Sequence, residues 1–291
     1  MTRHNIPSTT VIGLGPMGSA LARTLLASGA KVTVWNRSAA AAERLQDDGA
    51  VIAPTVRDAV DASELVLVCL RDHEAVREVL HDTPTAVPVV NFTSATPTQA
   101  RDTARWAAQR GIERYVTAAI MVPVPLIGTD EAVILYSGDE SAFRQHHETL
   151  RALAGNADFL GDDHGLAPLF DVGMLEVFFA GMTSFVHAAA MARRAGEVSA
   201  RSFLPYALGM LSILPDTLDA IAGDIDAGAY SGEQDRVEME HAALEHIVET
   251  GQGAGLDTSL AASMRDLAAR TVAAGDGHLG WSKVYDHLAV R

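Results

Sequence analysis

Between residues 9 and 158, short runs of β-branched and aliphatic residues alternate with segments whose apolar positions recur every three to four residues. That alternation predicts a parallel sheet covered by helices. The pattern places strands near 10–14, 31–35, 65–70, 87–92, 114–118 and 132–137, and helices near 17–28, 39–47, 74–81, 98–109 and 141–154. After Gly161 the strand pattern stops, and helical periodicity runs to the C-terminus, punctuated by Pro205, Pro215 and the glycine-rich stretch 251–255. The expectation is an α/β domain over 1–161 and an all-α domain over 162–291. The most hydrophobic stretch, 166–192, carries Asp171, Glu176 and His187. No run of about 18 apolar residues is free of charge, so no membrane span is expected.

Charge and composition narrow the classes. Against 37 acidic residues stand 22 Lys and Arg, a formal charge of −15. A nucleic-acid surface is disfavoured, because phosphate neutralisation needs a clustered cationic face. The 291 residues suit two domains better than one, and 48% hydrophobic content supplies a packed interior. The single cysteine, Cys69, has no partner within the chain for a disulfide and sits in the apolar run 65–70. A buried reduced thiol and a reducing cytoplasm follow as expectations. The first apolar run, 11–14, is too short and glycine-broken for a secretory leader. Metal chemistry finds no HExxH pair, and the adjacent His146 and His147 point in different directions on a helix and read as solvated. No GxSxG nucleophile elbow occurs.

The chemistry begins at Gly13-Leu14-Gly15-Pro16-Met17-Gly18, which follows the first strand and opens the first helix. The first glycine permits a tight turn, the second lets a pyrophosphate approach the backbone, and the third lets helix pack on strand. Free N–H groups at the helix start then face the anion. At the end of the second strand an NAD enzyme places an acid for the ribose 2′-hydroxyl, but this chain reads Asn36-Arg37-Ser38. Arg37 can pair with a 2′-phosphate, and Asn36 and Ser38 can donate to it, so NADPH is the expected cofactor. The alternative is a solvated Arg37 and a Ser38 that merely caps the next helix. Thr93 and Ser94, at the end of a parallel strand, are placed to touch the cofactor or to form a capping turn. Cys69 and Leu70 are assigned to the cofactor site with them.

On the long helix, at about 100° per residue, Leu175, Phe178, Met182 and Phe185 fall within about 40° of Asp171. Glu176 and His187 lie on the other side, and Gly173, Ala180, Ser184 and Ala188 offer small residues for a close neighbour. An ionised carboxylate at the head of an apolar stripe is costly unless it is paired or its pKa rises. Such an acid can hand on a proton near neutral pH or steady a cation. The alternative is a first-turn acid favoured by the helix dipole.

Taken together, these residues resemble the NADPH-dependent imine reductases, relatives of the β-hydroxyacid dehydrogenases. The resemblance runs over nearly the whole chain: residues 13–22 with the glycine motif, Trp35-Asn-Arg-Ser38, Asn91-Phe-Thr-Ser-Ala-Thr-Pro97, Ala119-Ile-Met-Val-Pro123, Ile127-Gly128, Leu135-Tyr-Ser-Gly138, Gly165-Leu-Ala-Pro-Leu-Phe-Asp171 and His187-Ala-Ala-Ala190. It implies an N-terminal Rossmann domain, a long inter-domain helix and an all-α C-terminal domain, exchanged between the subunits of a homodimer. It implies hydride delivery from NADPH to the carbon of a C=N bond, with Asp171 protonating the nitrogen or stabilising an iminium. The β-hydroxyacid relatives carry a catalytic lysine six residues after the glycine that Gly165 matches, and here that position is Asp171. Met121, Val122 and Pro123 are expected to wall the nicotinamide, and Leu175, Phe178, Phe179 and Met182 to form the substrate pocket. Some relatives carry Tyr where this chain has Phe179, and reductive aminases carry Asn where it has Ser94. Reduction of preformed, cyclic imines is therefore the expected activity. The rivals are a β-hydroxyacid-type dehydrogenase acting on C–O bonds and a non-catalytic NADPH-binding protein. Glu176, Glu240 and His241 are read as surface or interhelical residues.

Overall fold

The structure, a computed structural model, describes residues 7–196 and 198–289. The chain forms two compact units, the first ending at Glu176 and the second beginning at Val177. In the first, eight strands form one sheet: β1 (Thr9–Ile12), β2 (Val32–Trp35), β3 (Val51–Ile52), β4 (Leu65–Val68), β5 (Val89–Asn91), β6 (Tyr115–Ile120), β7 (Val133–Gly138) and β8 (Asn156–Phe159). Their spatial order is β3-β2-β1-β4-β5-β6-β7-β8. The sheet is parallel from β3 to β6. This is a Rossmann-type arrangement, in which the chain leaves β1 in one direction for β2 and later returns to its other side with β4.

Alternation along the buried strands feeds two interiors. Leu65 and Leu67 join Val11, Leu21, Leu25 and Val90 on one face, while Val66 and Val68 join Ile12, Val76, Leu80 and Val89 on the other. A parallel sheet covered on both faces reads as a continuous apolar run, as β4 (Leu-Val-Leu-Val) does. The covering helices are α1 (Pro16–Ala27), α2 (Ala39–Gln46), α3 (Val56–Asp61), α4 (His73–Leu80), α5 (Pro97–Gln109), α6 (Glu140–Gln145) and α7 (His147–Arg151).

Several expectations need correction. The sheet is not parallel throughout, since β7 runs antiparallel to β6 and β8 follows β7. Only a 3₁₀ turn, Val124–Leu126, lies between β6 and β7, and a parallel return needs a longer crossover. The edge strands β3 and β8 are short and part-exposed, so neither shows an apolar run. The helix expected over 141–154 breaks at His146, which is 2% exposed rather than solvated. Burial lowers the pKa of its ring.

The helix α8 (Leu166–Gly196) opens in the first unit, where Ala167 and Pro168 are buried. The compact unit thus continues to Glu176, past the expected boundary at 161. By length and mean hydropathy, 1.5 over its most apolar stretch, α8 is long and apolar enough to cross a membrane, although Asp171 and Glu176 lie along it. The second unit continues with α9 (Ala200–Leu211), α10 (Leu214–Ala227), α11 (Val237–Gly253) and α12 (Ser259–Thr271). Pro205 lies inside α9 instead of ending a helix. Among the described residues of this unit, Val237, Leu244, Ala268 and Val284 form a buried cluster.

Candidate active site

The turn after β1 shows why glycine is needed at two of its three motif positions. Gly13 has φ +92°, and a β-carbon on it would collide with the Cys69 carbonyl oxygen after β4. A β-carbon on Gly18 would strike the Gly13 carbonyl. At Gly15 the space is open, with nothing within 4 Å of a β-carbon. The first and third glycines close the turn, and the second leaves room for a bound group. Pro16 starts α1 without a side-chain cap or an acid in the first turn, so its N–H groups remain available to an anion.

From this turn a groove of about 510 Å³ runs outward, lined by 13–18, Trp35, Asn36, Arg37, Cys69, Leu70, Arg71, Ala75, Glu78 and Val79. Apart from Ala75, Glu78 and Val79 of α4, these positions follow the carboxyl ends of β1, β2 and β4, where the strand order reverses and nucleotides bind in such folds. Asn36 is occupied otherwise than expected: its Oδ1 accepts from the Leu14 N–H at 3.0 Å, and its Nδ2 donates to the Ser38 carbonyl at 3.0 Å. It braces the glycine turn. Ser38 precedes α2 without a side-chain capping bond, and it is not among the groove-lining residues. Arg37 extends across the groove to Glu78, Nη2 to Oε2 2.8 Å.

A second cavity, of about 230 Å³, adjoins the ends of β4, β5 and β6 and contains Asp171. Its other lining residues are Met17, 69–71, 92–95, 118–120 and Pro168. Asp171 faces it from the second turn of α8, three residues after Pro168. Burial raises the Asp171 pKa above the ordinary carboxylate value, as the sequence anticipated for an acid among apolar groups. Thr93 accepts from the Leu70 N–H at 3.1 Å through its Oγ1, and its own N–H donates to Asn91 Oδ1 at 3.0 Å. Its hydroxyl thereby ties the ends of β4 and β5 together. Thr96, with Gln99, caps α5, which removes the capping alternative for Thr93 and Ser94. Desolvation pushes the Cys69 thiol up to about 11, so it is no nucleophile at neutral pH.

The residues expected beside the nicotinamide, Met121, Val122 and Pro123, are not among those that line this cavity. Ala118, Ala119 and Ile120 line the cavity; Met121 packs with Ala119, Leu135 and Ala167, Val122 packs against the main core, and Pro123 is exposed. The strand β6 continues to Ile120, two residues beyond the expected end, and its last three residues are the ones that line the cavity. The expected substrate residues are not in this cavity either: Leu175, Phe178, Phe179 and Met182 are 42–60% exposed. Glu176 is exposed, and Glu240 and His241 are half-buried on α11. Sequence reasoning missed Arg71, which lines both groove and cavity, and Pro168; the one-turn spacing from Asp171 was the available signal for Pro168. Among the described residues no cluster of three or more metal-ligating side chains occurs.

Comparison with known proteins extends this geometry. Residues 8–161 match the NAD binding domain of 6-phosphogluconate dehydrogenase, and residues 163–290 match the NADPH-dependent reductive aminase-like C-terminal domain. An NADPH-dependent reductive aminase of Aspergillus oryzae is 34% identical, over 93% of this chain and 92% of that protein. The structure of an imine reductase from Bacillus cereus superposes with a TM-score of 0.88 at 37% identity, covering 96% of this chain and 98% of that one. A reductive aminase from Aspergillus terreus, in complex with NADPH4, cyclohexanone and allyl amine, has a TM-score of 0.88 at 35% identity, covering 98% and 100%.

Proposed function

The chain belongs to the family of NADPH-dependent imine reductases and reductive aminases, and on that premise we propose that it reduces preformed cyclic imines with Asp171 as the acid at the reacting nitrogen. It is an oxidoreductase acting on C=N bonds. When bound, NADPH supplies the hydride. The open face of Gly15 and the uncapped start of α1 fit its pyrophosphate, and Arg37 is the cation for its 2′-phosphate. The observation that carries the catalytic assignment is the Asp171 carboxyl in the cavity beside Met17, Thr93, Ser94 and Ala118.

Desolvation lets that carboxyl hold its proton closer to neutrality and donate it to an imine nitrogen. Once ionised, it offsets the charge of an iminium in a partly dehydrated site. A hydroxy-acid substrate would bring a carboxylate against Asp171, and from Gly165 to Phe185 the chain has no Lys, Arg or His to receive it. This argues against the C–O dehydrogenase. Ser94, rather than Asn, on the cavity wall supports reduction of preformed imines over condensation of amine and ketone.

The assembly in this proposal is an isologous dimer. Its support is the set of exposed large apolar side chains of the helical unit, including Phe178 at 60%, Val186 at 66%, Tyr206 at 78% and Met210 at 68%, the kind of surface that marks an interaction face. The same cover accounts for the hydropathy of α8 without a bilayer, in keeping with a reducing cytoplasm. The test of the chemistry is NADPH consumption with a small cyclic imine. Asp171→Ala should lower kcat by about 10²- to 10⁴-fold, the usual scale of a positioned acid, while calorimetry still registers NADPH binding. Full activity in that variant overturns the assignment.

A further inference from the structure

Among the residues lining the dinucleotide groove, Arg37 and Arg71 are cations and Glu78 is the acid. Glu78 comes from α4, on the face that also presents Ala75 and Val79 to the groove, the i, i+3 and i+4 positions of one helical surface. That wall is otherwise apolar, suited to the flat face of a purine. Arg37 stands across from it, two residues beyond the end of β2. The two side chains meet at 2.8 Å while remaining 69% and 67% exposed. An ion pair this exposed contributes little to the fold. Its consequence is for the ligand, because it engages the guanidinium that a 2′-phosphate would use and adds a negative charge beside it.

We infer that Glu78 is a specificity-determining residue, competing with the cofactor's 2′-phosphate for Arg37 and so narrowing the preference for NADPH over NADH. The inference rests on the NADPH reading above. For NADPH to be held, Arg37 must release or share a donor that Glu78 now accepts, and a phosphate near −2 must approach a carboxylate. NADH meets neither obstacle, and its ribose hydroxyl is a donor that a carboxylate accepts. Glu78 therefore weakens the phosphorylated cofactor selectively.

Calorimetric titration of NADPH and NADH into the full chain, for wild type, Glu78→Gln, Arg37→Ala and the double variant, tests this. Glutamine keeps the length and the acceptor oxygen and removes the charge. At low salt Glu78→Gln should tighten NADPH by about two- to five-fold, the scale of an exposed ion pair, without tightening NADH. The gain should shrink at high salt and be smaller in the Arg37→Ala background, where only the repulsion between the carboxylate and the phosphate remains to be relieved. A Glu78→Gln variant with unchanged or weaker NADPH binding overturns the inference, as does an equal gain without Arg37. If wild type binds neither dinucleotide, it is the NADPH reading itself that fails.

Discussion

Along β1 and β4 every residue is buried, whereas α9 and α10 bury none. The two units draw on one chain of 48% hydrophobic content and place those residues in opposite ways. In the first, both faces of the sheet are covered by the unit's own helices, so its interior is complete within one copy of the chain. In the second, large side chains such as Phe178, Phe179, Tyr206 and Met210 stand more than half exposed. A helix that is hydrophobic over most of its circumference belongs inside something. The contrast teaches that the cofactor half completes its interior within one copy of the chain, whereas the helical half leaves large apolar side chains uncovered, which is the basis of the proposed dimer.

The strongest way to break that contrast is to put charge on the exposed helix. In an isologous dimer each substitution enters twice. At about 2 kcal/mol for each buried aromatic anchor, Phe178→Glu would raise the dimer dissociation constant roughly a thousand-fold. Light scattering after size exclusion should then find monomer where wild type gives dimer. A wild type that is already monomeric, with unchanged melting in Phe178→Glu, would show that the exposed face needs no second copy.

A smaller effect separates the glycines of the first unit. Gly13→Ala forces a β-carbon into a left-handed backbone and onto the Cys69 carbonyl, costing about 2–4 kcal/mol of stability. Gly15→Ala meets open space in the protein, so its melting temperature should stay near wild type while NADPH affinity falls. Thermal melts paired with NADPH titrations check both. Equal destabilisation in the two variants would mean that the turn is strained throughout rather than built around one open position.

The difference between the units also explains what could be read from the chain alone. The glycine turn, the switch to Asn36-Arg37-Ser38 and the acid at 171 were legible because each depends on a few adjacent residues. The brace that Asn36 makes to the Leu14 N–H went unread because the two residues lie 22 apart, and no local pattern announces that contact. Glu78 went unnoticed because its meeting with Arg37 spans 41 residues. The stripe of Leu175, Phe178 and Met182 was correctly placed on one face, but periodicity says which residues share a face and nothing about what covers it. The cavity takes its lining from the last residues of β6, Ala118–Ile120, while 121–123 follow the end of the strand, a difference that depends on side-chain direction and not on the apolar run.

Asp171 sits where the comparison can be sharpened most finely, on the part of α8 that belongs to the first unit. Its folded-state pKa is raised by desolvation above the ordinary 3.8. A carboxyl of this kind favours the folded state most when protonated: its contribution is fully present below pH 3.8 and is lost as pH rises through the higher folded value. Asp171→Asn stays neutral at every pH and escapes that loss. Without cofactor, the variant should therefore melt above wild type at pH 7–8, with a gap of at most a few degrees, and the gap should close as pH falls below the unfolded value. Melting curves followed by near-ultraviolet circular dichroism across pH 3–8 read the effect. A gap that is the same at all pH values would assign the change to packing or hydrogen bonding and would mean that the carboxyl is not held in a dehydrated site. A wild type more stable than Asp171→Asn at pH 8 would go further, since it would require a partner for the carboxylate that outweighs its burial.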